Sequence, residues 1–269
     1  MPSSVVPDVP LLQALPAAYH VLMKATRRHG MFTLARNQVR LYPHGQRVKI
    51  AGDATIFLPA DPHFIGFLLG RHEHHIAELM MTHVRPGDIC VDVGANIGYF
   101  SAVLSRLAGA AGRVFSFEPV PENFDVLAIN AQIASQTGAP VRPQRAAVAA
   151  TSGELRIVRQ AHSTAHQVSS AVDASGESVP AVSLDAELPK SIGDAQIAFL
   201  KVDVEGYELS VLQGMRSLIQ RGKIRRMVVE ITPGFDAAQI AEIISGRRHK
   251  LTSWVGQKWT PIQIHLSSP

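Results

Sequence analysis

Residues 91–100 read VDVGANIGYF, and this stretch joins a short apolar run to a segment with helical spacing. The run, Ile89–Val93, has the length of a buried strand, and apolar side chains over residues 100–108 recur with the period of a helix. Gly94 permits a tight turn with positive φ, and Gly98 lets the helix approach the strand closely. The free N–H groups at the start of such a helix attract an anionic ligand group, so this turn is the first candidate for a binding site.

A second strand-like segment, residues 113–118 (RVFSFE), ends in Glu118, which lies twenty residues after Gly98. An acidic side chain at that place can accept hydrogen bonds from two ribose hydroxyls. A dinucleotide loop would need a glycine where this sequence has Asn96, and the sequence contains no G-x-x-x-x-G-K-[ST] phosphate loop. A ligand with a ribose and a carboxylate but no pyrophosphate fits better, and S-adenosylmethionine is the first candidate.

Beyond this turn, strand-like and helical segments alternate along the chain. Further strands are predicted at residues 141–148, 155–158, 195–204 and 227–231, helices after Pro121, between Asp203 and Gly222 and over 235–244, and a closing hairpin at 251–255 and 259–265. Such alternation predicts an α/β fold in which helices cover both faces of a mostly parallel sheet. Ligands bind these sheets at the carboxyl ends of the strands, which is where Gly94, Glu118, Asp203 and Glu230 are expected.

The first 85 residues have a different character, and Pro86-Gly87 separates them from the alternating part. A helix is predicted over residues 11–28, strands at 39–42, 48–50 and 55–58, and a helix within 62–83. We interpret residues 1–85 as an N-terminal α+β cap that covers the strand ends and contributes to acceptor binding and to a homo-oligomer interface. Residues 86–269 are then the cofactor-binding domain.

Composition narrows the class of protein. The 269 residues are 46% apolar and 18% charged with a net charge of +4, which excludes a disordered chain. The single cysteine, Cys90, excludes a disulfide framework and is expected to be a small buried hydrophobe.

No segment has the features of a signal peptide or a membrane span, so a cytoplasmic protein is expected. No basic stripe interleaved with aromatic residues is visible, and nucleic acid is not an expected partner. The basic run at residues 247–250 fits either a solvated face or peripheral contact with an anionic membrane.

Several motifs together resemble a known family. VDVGANIGYF, FSFEPVPENF, SLDAEL, FLKVDVEGYELSVLQGM and MVVEI follow one another within residues 62–231, and the chain resembles methyltransferases of the FkbM type. The resemblance implies the Rossmann-like class I methyltransferase fold, a seven-stranded, mostly parallel sheet with a reversed last strand. It also implies S-adenosylmethionine-dependent O-methylation of a hydroxyl on a sugar, a glycolipid or a polyketide-type natural product.

The resemblance assigns roles to individual residues. The methionine end of the cofactor would be lined by Asp92, Gly94, Asn96 and Gly98. Glu118 would bind its ribose, and the adenine would lie beside Pro119, Asn123 and Ala146 or Ala147. The stretch KVDVEGYE would place four residues next to the methyl donor: Lys201, Asp203, Glu205 and Tyr207. Tyr99 and Phe100 are expected in the core.

Removal of the acceptor proton calls for a carboxylate or a histidine within hydrogen-bond reach. Asp203 or Glu205 could orient the acceptor hydroxyl, with His162 or His166 as the base. Other roles stay open: Asp203 could be a helix N-cap, Glu205 could bind backbone N–H groups, and Lys201 could be a strand-end charge without a chemical role. The remaining candidate acceptor contacts are Glu73, or Glu78 in its place, with His74 and Glu230.

No metal site is expected. Asp203 and Glu230 could share a Mg²⁺ with the acceptor, because hard cations take such oxygen ligands. Zinc at His72, His74 and His75 is disfavoured because only His72 and His75 would share a helix face. Three other functions stay open: an N-methyltransferase acting on a small molecule, a nicotinamide-dependent oxidoreductase, and a binding module that keeps the cofactor domain without catalysis.

Overall fold

The structure is a computed structural model that describes residues 40, 42–61, 64, 67, 74–158, 167–169, 176–204, 206–231, 242–243, 252–254 and 262–267. The predicted helix over residues 11–28 lies outside these ranges, as do all but residues 40 and 42 of the strand at 39–42 and all but residues 242–243 of the helix at 235–244. Four candidate site residues also lie outside: Glu73, His162, His166 and Glu205.

The centre of the described fold is a sheet of seven strands: β3 (Ile89–Val93), β4 (Arg113–Phe117), β5 (Val141–Gln144), β10 (Phe199–Val202), β11 (Arg226–Ile231), β12 (Thr252–Trp254) and β13 (Ile262–Ser267). Their order across the sheet is β12-β13-β11-β10-β3-β4-β5. The five strands from β5 to β11 are parallel, and β13 runs antiparallel to both β11 and β12. The predicted α/β fold with a mostly parallel sheet is therefore confirmed.

Strand β3 is the middle one of the five parallel strands, and further strands are added on both sides of it. β4 and β5 are added on one side, whereas β10 and β11 are added on the other. The carboxyl end of β3 is thus the point at which the strand order reverses, where a crevice forms between diverging connections. The turn at residues 94–98 begins there.

Helices cover both faces of this sheet, because every residue of β3 is buried and each face needs a partner. On one face α1 (His74–His83), α2 (Tyr99–Ala108) and α3 (Pro121–Ser135) pack on Cys90, Val114, Phe199 and Val228. On the other face α4 (Leu184–Ile192), α5 (Glu208–Gln213) and α6 (Arg216–Gln220) pack on Val91, Val93, Leu200 and Val202. Tyr99, Phe100 and Cys90 are buried in the first of these cores, as predicted.

The described part of the N-terminal segment joins the main core. β1 (Gln46–Lys49) and β2 (Thr55–Leu58) form an antiparallel hairpin, and its Ile56 and Leu58 share one cluster with α1 and α2. The Asn130 side chain on α3 accepts a hydrogen bond from the Phe57 N–H (2.6 Å) and donates to the Phe57 and Ile97 carbonyls. The boundary at residue 85 therefore does not separate two hydrophobic cores, and the role of the segment as a cap stays a prediction.

A second sheet of four strands lies beside the first and departs from the sequence prediction. It contains β6 (Ala147–Val148), β7 (Gly153–Val158), β8 (Gln167–Ser169) and β9 (Glu177–Val182), in the order β6-β9-β7-β8. The single strand predicted at residues 141–148 was wrong, because the chain leaves the large sheet after β5 and enters the small one at β6.

The helix predicted between Asp203 and Gly222 divides into α5 and α6 at Gly214. A Cβ atom at Gly214 would overlap the Ala149 carbonyl oxygen, so the chain that follows β6 packs directly on this backbone. The Asp185 carboxylate accepts hydrogen bonds from the N–H groups of Ser217 and Leu218, at 2.8 Å each, and so caps α6. Within the described ranges, every helix is too short or too polar to cross a lipid bilayer.

Candidate active site

The turn that follows β3 is held in a conformation that its glycines make accessible. Gly94 (φ 75°) and Gly98 (φ 87°) both have positive φ, and so does Asn96 between them (φ 50°). The N–H groups of Gly94 and Ala95 both donate to the Phe117 carbonyl at 3.0 Å. A Cβ atom on Gly94 would overlap the Asp203 carbonyl oxygen, so the turn lies directly against the chain that leaves β10. The backbone therefore joins the carboxyl ends of β3, β4 and β10.

Asn96 stands where a dinucleotide loop has its second glycine, and it accepts the left-handed conformation better than most residues do. Its N–H donates to Glu118 Oε2 at 2.8 Å. Its side-chain oxygen Oδ1 is buried and has no hydrogen-bond partner among the described residues. A buried acceptor without a donor is costly in a folded protein, so this oxygen is available to a ligand.

Glu118 is 4% exposed, and its carboxylate receives hydrogen bonds on both oxygens. Besides the Asn96 N–H, the Val120 N–H (3.0 Å) and the Asn123 side-chain amide (3.5 Å) donate to it. Burial raises the pKa of Glu118 to about 7, and the nearby charge of Asp92 adds to this rise while the hydrogen bonds oppose it. The carboxylate is therefore fixed in position and titrates near neutral pH.

Replacing Glu118 with glutamine is expected to remove a pH dependence from the stability of the ligand-free protein. The ordinary pKa is 4.5 and the folded value is about 7, so between them the folded chain holds a proton that the unfolded chain has released. The free energy of unfolding therefore falls by about 3 kcal/mol at most as pH rises through this interval, and it levels off at higher pH. Urea unfolding of both proteins at pH 5 and pH 8 measures the effect. Equal pH dependence in the wild type and E118Q would contradict the raised pKa.

Asp92 is the second buried carboxylate of the site, with 1% exposure. The Ser101 hydroxyl on α2 donates to Asp92 Oδ2 at 2.6 Å and lies 2.8 Å from the Ser116 hydroxyl. Its other oxygen, Oδ1, is buried without a hydrogen-bond partner among the described residues. Burial raises the pKa of Asp92, and the positive charge of Lys201 opposes this rise. Ser101 is not among the residues predicted from the sequence, because a serine within an amphipathic helix carries no motif.

Lys201 and Asp203 form an ion pair at the end of β10, with 2.8 Å between Nζ and Oδ2. The lysine side chain is only 3% exposed, and its ammonium lies 4.8 Å from the centre of the Phe100 ring. Asp203 is 24% exposed, and its N–H donates to the Val93 carbonyl. The N-cap of α5 is Tyr207, so the interpretation of Asp203 as a helix N-cap was wrong.

The remaining predicted site residues lie on separate elements of the structure. Glu230 lies on β11, two residues beyond Val228, which pairs with Lys201 in the parallel register. Ala146 and Ala147 are buried where the chain passes from β5 to β6. His74 begins α1 and pairs with Glu78 at 3.3 Å, and both side chains are more than half exposed. Across the described ranges, no group of three or more histidine, cysteine or acidic side chains is arranged to hold a metal ion.

A family model described as the methyltransferase FkbM domain matches residues 92–250. The hexuronic acid methyltransferase AglP of Haloferax volcanii is 32% identical over 177 residues, which are 65% of this chain and 69% of that protein.

Among solved structures, precorrin-6y C5,15-methyltransferase of Geobacter metallireducens aligns with a TM-score of 0.45 and 10% identity, over 73% of this chain and 89% of that one. Fibrillarin of Aeropyrum pernix, in complex with natively bound S-adenosyl-L-methionine, aligns with a TM-score of 0.43 and 13% identity, over 72% of this chain and 74% of that one.

Proposed function

We propose a function for this chain from one premise: the chain belongs to the FkbM methyltransferase family and is an S-adenosylmethionine-dependent methyltransferase. Its acceptor, in our proposal, is a hydroxyl group of a sugar, a glycolipid or a polyketide-type natural product. A uronic acid unit is the first candidate, because the relative from Haloferax volcanii is named a hexuronic acid methyltransferase. The observation that carries the cofactor assignment is the buried Glu118 carboxylate bonded to the Asn96 N–H at the reversal point of the sheet.

The residues at the turn fit the cofactor chemically. Two buried oxygens, Asp92 Oδ1 and Asn96 Oδ1, have no hydrogen-bond donor among the described residues, and the amino group of a methionine moiety supplies such donors. Glu118 is a fixed acceptor of the kind that two ribose hydroxyls need. We therefore assign Asp92, Gly94, Asn96 and Gly98 to the methionine end of the cofactor. Glu118 is assigned to its ribose, and Pro119, Asn123 and Ala147 to its adenine.

S-adenosylmethionine supplies an electrophilic methyl group when it is bound. The task of the protein is then to align the acceptor oxygen and to take or relay its proton. We assign the orientation of the acceptor hydroxyl to Asp203, because its carboxylate is partly exposed and is held by the buried Lys201. Glu205, His162 and His166 remain proposed partners in proton removal, and Glu73, His74 and Glu230 remain proposed acceptor contacts.

We further propose that the large sheet is the sheet of class I methyltransferases, with seven strands and a reversed last strand. The antiparallel position of β13 between β11 and β12 supports this assignment. In this arrangement the carboxyl ends of β3 and β10 lie next to each other in register, from Cys90 opposite Phe199 to Val93 opposite Val202. The cofactor turn and Asp203 then belong to one crevice.

A direct assay tests the proposed acceptor class. The purified chain is incubated with S-adenosylmethionine and with glucuronic acid, glucuronides, neutral sugars, alcohols and amines, and products are identified by mass and by the position of the new methyl group. We expect an oxygen-linked methyl group on a uronic acid or sugar acceptor. We also expect turnover to persist with excess EDTA, because the Lys201 ammonium already supplies the positive charge beside Asp203. Methylation of an amine alone, or turnover that requires a divalent ion, would contradict the proposal.

A further inference from the structure

Lys201 has surroundings that its place in the sequence does not explain. A lysine that served only as a strand-end charge would extend into water, since ammonium groups are strongly hydrated. The Lys201 side chain is instead 3% exposed, within the end of β10. Its ammonium contacts the Phe100 ring at 4.8 Å, and the ring face provides only part of the compensation that a buried cation needs. Carboxylates must provide the rest.

Two carboxylates on one face of the sheet provide this compensation. Asp203, two residues further along, is 2.8 Å from the ammonium. Asp92 lies directly opposite Lys201 in the parallel register of β3 and β10, and its carboxylate responds to the lysine charge. Glu230 on β11 lies two residues beyond Val228, the register partner of Lys201, and is therefore level with Asp203 and not with Lys201. The lysine thus lies between a residue assigned to the cofactor and a residue assigned to the acceptor.

We propose that Lys201 is a positioning residue shared by both halves of the site: its buried ammonium keeps Asp92 charged for the cofactor and holds the Asp203 carboxylate in place for the acceptor. This inference rests on the proposed function. Asp92 is fully enclosed, and a buried carboxylate without a counter-ion takes up a proton. A protonated Asp92 would lose its charge attraction for the amino group of the methionine moiety. Loss of Lys201 should therefore weaken cofactor binding in a pH-dependent way.

Several charged and polar groups face the Asp92 carboxylate, and a pH-dependent measurement must separate its titration from theirs. Lys201 and Asp203 face it from β10, Ser101 from α2 and Ser116 from β4, and the charge of Asp92 acts on Glu118. Glu118 also titrates near neutral pH. The informative quantity is therefore the ratio of the variant Kd to the wild-type Kd at each pH, because the burial that mainly raises the pKa of Glu118 is common to both proteins.

Calorimetric titration with S-adenosylhomocysteine at pH 6.5, 7.5 and 8.5 tests the cofactor half of the proposal. For K201M we expect a Kd ratio of about tenfold at pH 6.5 that falls to about threefold or less at pH 8.5, because Asp92 regains its charge as pH rises. K201R keeps the positive charge and should stay within about threefold of the wild type throughout. The exposed Lys190, which pairs with Glu187 on α4, gives the matched control K190M with a ratio near one.

The outcomes separate this proposal from its alternatives. If Lys201 were needed only for packing, the ratio of the K201M Kd to the wild-type Kd would not change with pH. In that case K201R, with its bulkier side chain, would bind S-adenosylhomocysteine no better than K201M. Either result overturns the proposal. If K201M does not fold, K201Q takes its place, and if neither neutral variant folds while K201R does not bind, the proposal is also overturned. A wild-type protein that does not bind S-adenosylhomocysteine would instead overturn the proposed function itself.

A double-variant cycle tests the acceptor half. If Lys201 acts on the acceptor through Asp203, adding K201M to D203N should change kcat by less than about twofold at pH 8.5 with saturating cofactor, whereas K201M alone lowers kcat by about tenfold or more. Independent effects that multiply in the double variant would show that Lys201 does not position Asp203.

Discussion

The Asp203→Asn variant is expected to lose turnover by about 10²–10⁴-fold while its affinity for S-adenosylhomocysteine stays within about threefold of the wild type. The amide keeps the size of the carboxylate and still offers an oxygen to Lys201, so the ion pair at 2.8 Å becomes a hydrogen bond with little movement. What the variant loses is the negative charge that orients the acceptor hydroxyl for removal of its proton. Steady-state kinetics with the acceptor found in the assay above, together with calorimetry, measures both quantities.

A matched control for this variant is available on the same chain. Asp194 is an exposed aspartate that pairs with Arg221 and Lys223, before the amino end of β10. D194N should therefore leave kcat within about twofold, because exposed ion pairs contribute little to stability and this one is at the other end of the strand. Unchanged turnover in D203N would remove Asp203 from the reaction. Lost turnover with equally lost cofactor binding would instead make it a cofactor ligand.

Local signals predicted the elements that are buried and bounded by turn residues. β2 and β3 have the predicted bounds, Thr55–Leu58 and Ile89–Val93, because each is an apolar run closed by turn-forming residues. The prediction failed where contact with a segment distant in the sequence determines the local structure. The spacing of apolar residues between Glu208 and Gln220 is continuous, yet the helix divides at Gly214, whose backbone lies against Ala149 and whose carbonyl accepts a hydrogen bond from the Asp185 N–H. No pattern within the helix reports that contact.

The same distinction applies to the site. Gly94, Asn96 and Glu118 could be found from sequence because the chemistry of a βα turn requires certain residue types at fixed spacings. The environment of Lys201 could not, because it is assembled from Asp92 on β3, Phe100 on α2 and Asp203 after β10. Asp92 and Phe100 are far from Lys201 along the chain, and the parallel register of β3 and β10 brings Asp92 opposite it. A lysine two residues before an aspartate in a sequence is most often a pair of solvated charges.

The Gly94→Ala variant is expected to lose both stability and cofactor binding, and the size of the loss distinguishes two physical causes. A Cβ atom at Gly94 would overlap the Asp203 carbonyl oxygen, and the residue has φ 75°. The left-handed conformation alone costs about 1–2 kcal/mol for an alanine. The overlap is with backbone that cannot rotate away, and forcing β3 and the end of β10 apart should bring the total to about 3 kcal/mol or more.

Gly222→Ala separates the two costs, since Gly222 has a similar φ of 66° and open space where its Cβ would lie. Urea unfolding should show a loss of about 1–2 kcal/mol for this control, the conformational cost alone. The excess in G94A then measures the close contact between the turn and Asp203. Because that contact sets the spacing between the cofactor turn and the acceptor residue, S-adenosylhomocysteine affinity should fall by about 10²-fold in G94A and remain unchanged in G222A. If the two variants lost equal stability and both kept their affinity, the approach of the turn to β10 would have no part in forming the site.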